Sequence, residues 1–209
     1  MKKPLLIPTS LLAGLALAVA GSVGQAQVRE LSLTEITNQT DNGVLGTIVG
    51  SRVVDLGNEV DGFGLYYTIV TIEGKSVFDD RKITVDIASR GGWIDKEHGI
   101  GSWDSEAPQA TEIAVGREVL AYYMWSENIG SGVGANILYA SHGSLFRTAK
   151  SPTGTVVLGR GQGYAIDKNI KFDTLRVATR KIRKEAQLRE IEKQSESTKN
   201  KTGDDQTGK

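Results

Sequence analysis

Cysteine is absent from this 209-residue chain, and histidine is scarce, with His98 and His142 as the two imidazoles. The lack of thiol groups excludes a disulfide scaffold, a thiolate zinc site, an iron–sulfur cluster with cysteine ligands and a cysteine nucleophile. The GxSxG elbow of serine hydrolases and the HExxH helix of zinc peptidases are also absent. From the sequence we therefore assign no catalytic residue, no metal ligand and no cofactor.

An excess of charge of either sign is lacking too, since 25 basic side chains balance 25 acidic ones. A neutral chain has no net field that would draw it to nucleic acid, which is not an expected partner. Only 4 prolines occur, while 39% of the residues are hydrophobic and 24% are charged. That composition is typical of one globular domain of ordinary size.

The N-terminus has the three parts of a signal peptide. Met1-Lys2-Lys3 forms a basic start, residues 11–20 form an apolar core, and small residues lead to Ala26. The apolar run is shorter than the ~20 residues that span a bilayer, which disfavours a retained anchor. We predict a signal peptide over residues 1–26, with cleavage after Ala26 or, as a second choice, after Ala20. The mature protein is expected in the periplasm or the medium, with no transmembrane segment after signal removal.

Residues 27–172 have the pattern of a β-rich domain. Runs of β-branched and aromatic residues are separated by glycine and acidic turns, and strict alternation occurs around Val85. We count six or seven strands without helices between them, which favours an antiparallel meander, closed into a small barrel or folded as a sandwich. Gly46 and Gly50 predict bends in the first strand that favour closure. A short helix or turn over residues 31–36 is expected to cover one end of the barrel.

The hydrophobic period changes near the C-terminus. Asp173 is a plausible N-cap, and the apolar residues after it recur at spacings of three and four, which predicts a C-terminal helix over residues 173–193. Residues 194–209 contain no apolar side chain, so they predict a disordered tail. The helical stripe consists of Leu175, Ala178, Ile182 and Ala186.

Several short strand and turn motifs lie between residues 31 and 160, among them Leu45-Gly46-Thr47-Ile48-Val49, Thr84-Val85-Asp86-Ile87, Gly91-Gly92 and Gly143-Ser144-Leu145-Phe146. Their order resembles that of a family of uncharacterised exported bacterial proteins that are rich in β-structure. The resemblance implies an exported β-domain and carries no catalytic residue over to this chain. Residues 93–110 contain more tryptophan and more acidic residues than the resemblance implies. If this protein has a function that the resembling family lacks, we expect it in this segment.

The segment 93–106 gathers four carboxylates, one imidazole and two indoles. Trp93, His98 and Trp103 are the candidate ligand-binding residues, because an indole can stack on the face of a sugar or on a protein partner. The alternative is that the two indoles fold back over the core. The spaced ligands of an EF-hand are missing, so the sequence predicts no calcium site here.

These features predict an exported, non-catalytic binding or envelope-associated module, with an envelope protein or a glycan as its partner. Two other interpretations stay open. One is an envelope hydrolase that uses the carboxylates and His98 of the 93–106 segment, and the other is a structural or assembly subunit. The basic run at residues 180–184 fits contact with an anionic partner, or simply a solvated helix face.

Overall fold

The structure, a computed structural model, describes residues 30–203, with side chains to residue 195. The predicted signal peptide over residues 1–26 and the end of the predicted tail, residues 204–209, lie outside this range. The described elements, in chain order, are α1 (Leu33–Gln39), β1 (Asn42–Asp55), β2 (Tyr66–Ser76), β3 (Lys82–Arg90), β4 (Gly92–Asp95), β5 (Ile100–Ser102), β6 (Glu118–Ser126), β7 (Ala135–Leu138), a 3-10 turn (Ser141–Ser144), β8 (Leu145–Ser151), β9 (Gly154–Val157), β10 (Ile170–Lys171) and α2 (Phe172–Gly203).

Five of the strands close a barrel. They follow the order β1-β2-β3-β7-β6, and β6 returns to β1. All neighbours are antiparallel except β3 and β7, which are parallel. These five strands form a closed barrel of mixed strand direction. Strand β8 pairs with the first half of β6, and β9 and then β10 extend the sheet from β8.

The prediction of a mainly β fold with a C-terminal helix is confirmed, but its details need correction. The described residues form ten strands instead of six or seven, and the sheet is mixed instead of antiparallel. The strand count was low because β4, β5 and β10 have only four, three and two residues. Such short strands show no usable period in the sequence.

The long strand β1 makes barrel closure possible because it pairs with both β2 and β6. Gly46 lies opposite Gly74, and a Cβ atom on Gly46 would be 2.3 Å from the carbonyl oxygen of Glu73. The register with β2 shifts between Ile48 and Gly50, which marks a bulge. Gly46 therefore lies at a close approach of β1 to β2, and Gly50 lies where their pairing changes.

Strand β6 is buried on both of its faces and separates two apolar cores. One face, with Val119 and Ala121, lines the barrel interior, whereas Leu120 and Tyr122 pack under the two helices. Helix α1 begins after Ser32, whose hydroxyl accepts a hydrogen bond from the backbone N–H of Glu35. Helix α1 covers the outer face of β6 together with α2, and not one end of the barrel as predicted.

Helix α2 begins at Phe172, so Asp173 lies in its first turn, where a negative charge suits the helix dipole. Leu175 is buried and Ala178 and Ile182 are half-buried, as the predicted stripe requires. The helix continues to Gly203 instead of ending at residue 193, so residues 194–203 of the predicted disordered tail are helical. Lysine, glutamate and glutamine are good helix formers, and no glycine or proline interrupts the run before Gly203.

Arginines attach α2 to the rest of the chain. Asp80 lies in the turn between β2 and β3. Its carboxylate oxygens are 2.6 Å from a guanidinium nitrogen of Arg176 and 2.9 Å from one of Arg180. The hydrogen bond from Arg180, together with that from Arg176, holds the pKa of Asp80 below its usual value. Arg183 donates to the carbonyl oxygens of Thr37 and Thr40 at 2.8 and 2.9 Å, which joins α2 to the end of α1.

Candidate ligand-binding site

The site is built on the long connection between β3 and β6. This connection contains the β4–β5 hairpin and a series of turns, and Ile113 packs against the core of the barrel. Its end is tied to β1, because Gly116 donates to the carbonyl of Ile48, and Ile48 donates to that of Arg117. The segment that the sequence singled out is therefore held against the barrel.

A glycine allows the hairpin to carry a large side chain. Trp93 in β4 pairs with Gly101 in β5, whose φ of 151° lies in the region that favours glycine. A Cβ atom on Gly101 would be 2.9 Å from the Trp93 ring and 2.4 Å from the carbonyl oxygen of Gly92. The absence of a side chain at position 101 therefore leaves room for the Trp93 indole beside the partner strand.

A cleft of about 660 Å³ lies between this hairpin, the segment 103–113 and the barrel. Trp93 and Trp103 both line it, and they keep 39% and 78% of their surface exposed. We call it the tryptophan cleft. Trp103 does not fold back over the core, which was the alternative reading of the indoles. The polar residues along the cleft include Lys96, Ser102, Asp104, His142 and Arg160.

His98, the third predicted site residue, does not line the tryptophan cleft. It lies in the turn between β4 and β5, where its Nδ1 atom is 2.6 Å from a carboxylate oxygen of Asp95 and its side chain is 75% exposed. Hydrogen bonds from the His98 ring and backbone, and from the Glu97 backbone, hold the pKa of Asp95 below its usual value. His98 therefore stabilises the turn of the hairpin.

His142 does line the cleft, although the sequence gave no reason to select it. Its backbone N–H and its Nδ1 atom both lie 3.0 Å from the carbonyl oxygen of Glu106, and its Nε2 atom lies 3.3 Å from the hydroxyl of Tyr164. Its actual partners are 36 and 22 residues away, and no local pattern indicates them.

An ion pair forms another part of the wall. Arg160 donates to a carboxylate oxygen of Glu112 at 3.1 Å and to the carbonyl oxygen of Leu145 at 2.7 Å. The guanidinium group also lies 5.6 Å from the ring centroid of Tyr164. Arg160 lies between two glycines, and no local pattern in the sequence indicates these partners.

A smaller cleft of about 350 Å³ lies on another part of the barrel, and Arg52, Asp86 and Trp125 are among its lining residues. We call it the loop cleft, because the β6–β7 loop contributes to it and is joined to the β1–β2 loop. Ser131, at φ 52°, donates to the carbonyl oxygen of Leu56 and accepts from the amide of Asn58. Trp125 is half-exposed on the wall of the loop cleft, so this is the competing site.

Between residues 30 and 195, no group of three or more histidine, aspartate or glutamate side chains is arranged to hold a metal ion. Along the described part of the chain, no helix is both long and apolar enough to cross a membrane.

The fold and the cleft define a small mixed β-barrel with an open aromatic cleft beside it. No protein family, curated relative or solved structure matches the chain. The resemblance to exported bacterial proteins therefore stays a prediction.

Proposed function

We propose that this protein is an exported, non-catalytic binding module that takes a glycan of the cell envelope in the tryptophan cleft. The observation that carries this proposal is the convergence of Trp93 and Trp103 on one cleft, with most of the Trp103 surface exposed. A ligand that covers an exposed indole removes apolar surface from water, which lowers the free energy of the complex. Export rests on the predicted signal peptide over residues 1–26.

The chemistry of the cleft favours a sugar over a wholly apolar ligand. A pyranose ring has apolar C–H faces and a rim of hydroxyl groups, so it needs flat aromatic surfaces together with polar partners. The tryptophan cleft offers both, since Lys96, Ser102 and Asp104 line it beside the indoles. A lysine donates and a carboxylate accepts hydrogen bonds, which matches the two roles of a sugar hydroxyl.

Binding is favoured over hydrolysis by what the polar groups already contact. Glu112 is held by Arg160, and His142 is held by Glu106 and Tyr164. A glycoside hydrolase needs two carboxyl groups that flank one bond with their oxygens available. These contacts support a structural use of Glu112 and His142 in the wall of the cleft. Of the four carboxylates and the imidazole of the 93–106 segment, Asp104 lines the cleft and the others do not, which supports binding over hydrolysis.

The proposal is tested by glycan binding of the mature chain, residues 27–209, measured by calorimetry against neutral and acidic oligosaccharides. Trp103→Ala should weaken binding by about tenfold, since roughly 60 Å² of indole face at about 25 cal/mol per Å² corresponds to about 1.5 kcal/mol. The melting temperature should not change, because Trp103 is exposed. Trp125→Ala is the matched control, because it removes a half-exposed indole at the loop cleft.

Three outcomes contradict the proposal. Loss of binding with Trp125→Ala but not with Trp103→Ala would place the ligand at the loop cleft. Release of new reducing ends from a bound glycan would support the hydrolase interpretation instead. Failure of the intact chain to bind any glycan of the panel would leave the envelope-protein partner or the assembly subunit as the function.

A further inference from the structure

A second cleft continues from the tryptophan cleft. It measures about 460 Å³, and we call it the arginine cleft because Arg117 and Arg147 line it. Gln109, Thr111 and Glu112 line both clefts, so the two share a wall along the segment 109–112. A chain-like ligand long enough to cross this wall would contact the indoles on one side and the two arginines on the other.

The charged groups of the arginine cleft that are left for a ligand are positive. Glu118 lines it, but its carboxylate is 2.6 Å from the ammonium group of Lys150. Glu112 is likewise paired with Arg160, at 3.1 Å. Within the part of the chain that the structure describes, neither Arg117 nor Arg147 forms an ion pair. Both carboxylates are therefore neutralised by other cations, and the two arginines remain as surplus charge in a chain whose net charge is zero.

The strand pairing explains why these two arginines line the same cleft. Val119 of β6 is paired with Arg147 of β8, and cross-strand partners lie on the same face of a sheet. Arg117 immediately precedes β6, and it lines the same cleft as Val119 and Arg147. Two like charges that line one cleft repel one another, and an anion bound between them offsets that repulsion. Guanidinium groups are suited to this task because their N–H groups bind oxyanions in pairs.

We propose that the glycan bound by this protein is acidic and that Arg117 and Arg147 bind its oxyanion substituents while the indoles stack on its rings. This inference rests on the proposed function, since it names the class of glycan that the same site takes. Carboxylate groups of uronic acids and sulfate esters share the required chemistry, and the experiment separates the two.

The test compares the affinity of the mature chain for a polyuronate oligosaccharide, for the same oligosaccharide with its carboxyl groups methyl-esterified, and for a sulfated oligosaccharide. The chain should bind an acidic form more tightly than the neutral ester, and the difference should shrink as salt is added. Arg117→Gln with Arg147→Gln should weaken binding of the acidic form by at least about tenfold and leave the neutral form unchanged. A preference for uronate or for sulfate identifies the substituent, and either supports the proposal.

The matched control is the double substitution Lys75→Gln with Lys82→Gln. These two exposed lysines are paired across β2 and β3, and they line neither of the two clefts. The control removes the same charge from another like-charged pair, so it should keep the full preference for acid. Equal loss in both double variants would show a general charge effect and overturn the proposal.

The failure of this inference is distinguishable from the failure of the proposed function. Equal affinity for neutral and acidic forms, with loss of both in Trp103→Ala, overturns the arginine inference and keeps the tryptophan cleft. Acidic binding that depends on the arginines but not on Trp103 overturns the proposed stacking site. Absence of binding to all three glycans overturns both.

Discussion

Arg160 and Glu112 form the least exposed ion pair among the described residues, with side chains 19% and 12% exposed and a nitrogen–oxygen distance of 3.1 Å. The pair joins the segment after β9 to the connection between β3 and β6. Glu112 also lines both the tryptophan cleft and the arginine cleft. This ion pair therefore helps to hold the wall that the two clefts share, and its removal should affect stability and binding together.

Glu112→Gln tests this contact directly. The substitution leaves the Arg160 charge half-buried without its counterion, so the free energy of unfolding should fall by about 1–3 kcal/mol. Urea unfolding at pH 7 measures this loss. Glu73→Gln is the control, because Glu73 is exposed on β2 and lines neither cleft. Equal stability of the two variants would show that the ion pair contributes nothing to the fold.

Gly101→Ala should disturb the tryptophan cleft from within the β4–β5 hairpin. The new methyl group would meet the carbonyl oxygen of Gly92 and the Trp93 ring, so tryptophan fluorescence should change and glycan affinity should fall. Gly99→Ala separates steric conflict from backbone strain. Gly99 also has a positive φ, 71°, but a Cβ atom there has no neighbour within 4 Å, so this variant should lose only about 1 kcal/mol of stability and keep the cleft. Matching spectra in the two variants would contradict the assigned role of Gly101.

Asp80→Asn should destabilise the protein in a pH-dependent manner. Because Arg180 and Arg176 lower the folded-state pKa of Asp80 below 3.8, its charge stabilises the fold above that pH, and the contribution is lost as the pH falls through the lower folded-state pKa. The melting temperature of the variant should lie below that of the natural chain at pH 7 and approach it in acid. Asparagine tolerates the positive φ of 62° at this position, so the comparison isolates the charge.

Asp167→Asn, at an exposed position outside the α2 contacts, is the control for this experiment. At each pH from acid to neutral, the melting temperature of this variant should equal that of the natural chain. A constant difference between Asp80→Asn and the natural chain at every pH would contradict the electrostatic explanation.

Tyr122 should make the fold sensitive to alkali. Burial raises its pKa from 10.0 to about 12, and its hydroxyl lies 3.4 Å from that of Thr179. The unfolded chain ionises first, so the stabilisation is complete below pH 10 and is lost as the pH rises toward the folded-state value. Tyr122→Phe should change stability by no more than about 1 kcal/mol at pH 7 and make the protein more stable than the natural chain above pH 10. Parallel stability curves of the two proteins from pH 7 to 11 would be evidence against this.

Local patterns in the sequence predict the parts of the fold that depend on local physics. The period of two around Val85 and the helical stripe through Leu175 reflect burial of one face of an element, and both are present in the structure. The parallel pairing of β3 with β7 has no such signature, because it joins Ile87 to Asn136 across the whole β3–β6 connection. Its formation depends on long-range contacts, which no window of neighbouring residues contains.

The candidate site divides in the same way. Composition alone indicates Trp93 and Trp103, because two tryptophans in a long polar segment are unusual, whereas their exposure is known only from the structure. His142, Arg160 and Glu112 become wall residues only through partners that are distant in the chain. His98 shows the opposite case. Its neighbours in the sequence suggest a binding site, but its ring is hydrogen-bonded to Asp95 in the hairpin turn.

By itself, the sequence determined the β-rich character of the chain, its neutral charge, its lack of sulfur chemistry and the segment that carries the indoles. These properties depend on residue type and on spacing over a few positions. Tertiary structure decided how the barrel closes, that α2 lies over β6, and that Arg117 and Arg147 share a cleft. Those features arise from strand pairing and ion pairs between distant residues, whose geometry exists only when the chain is folded.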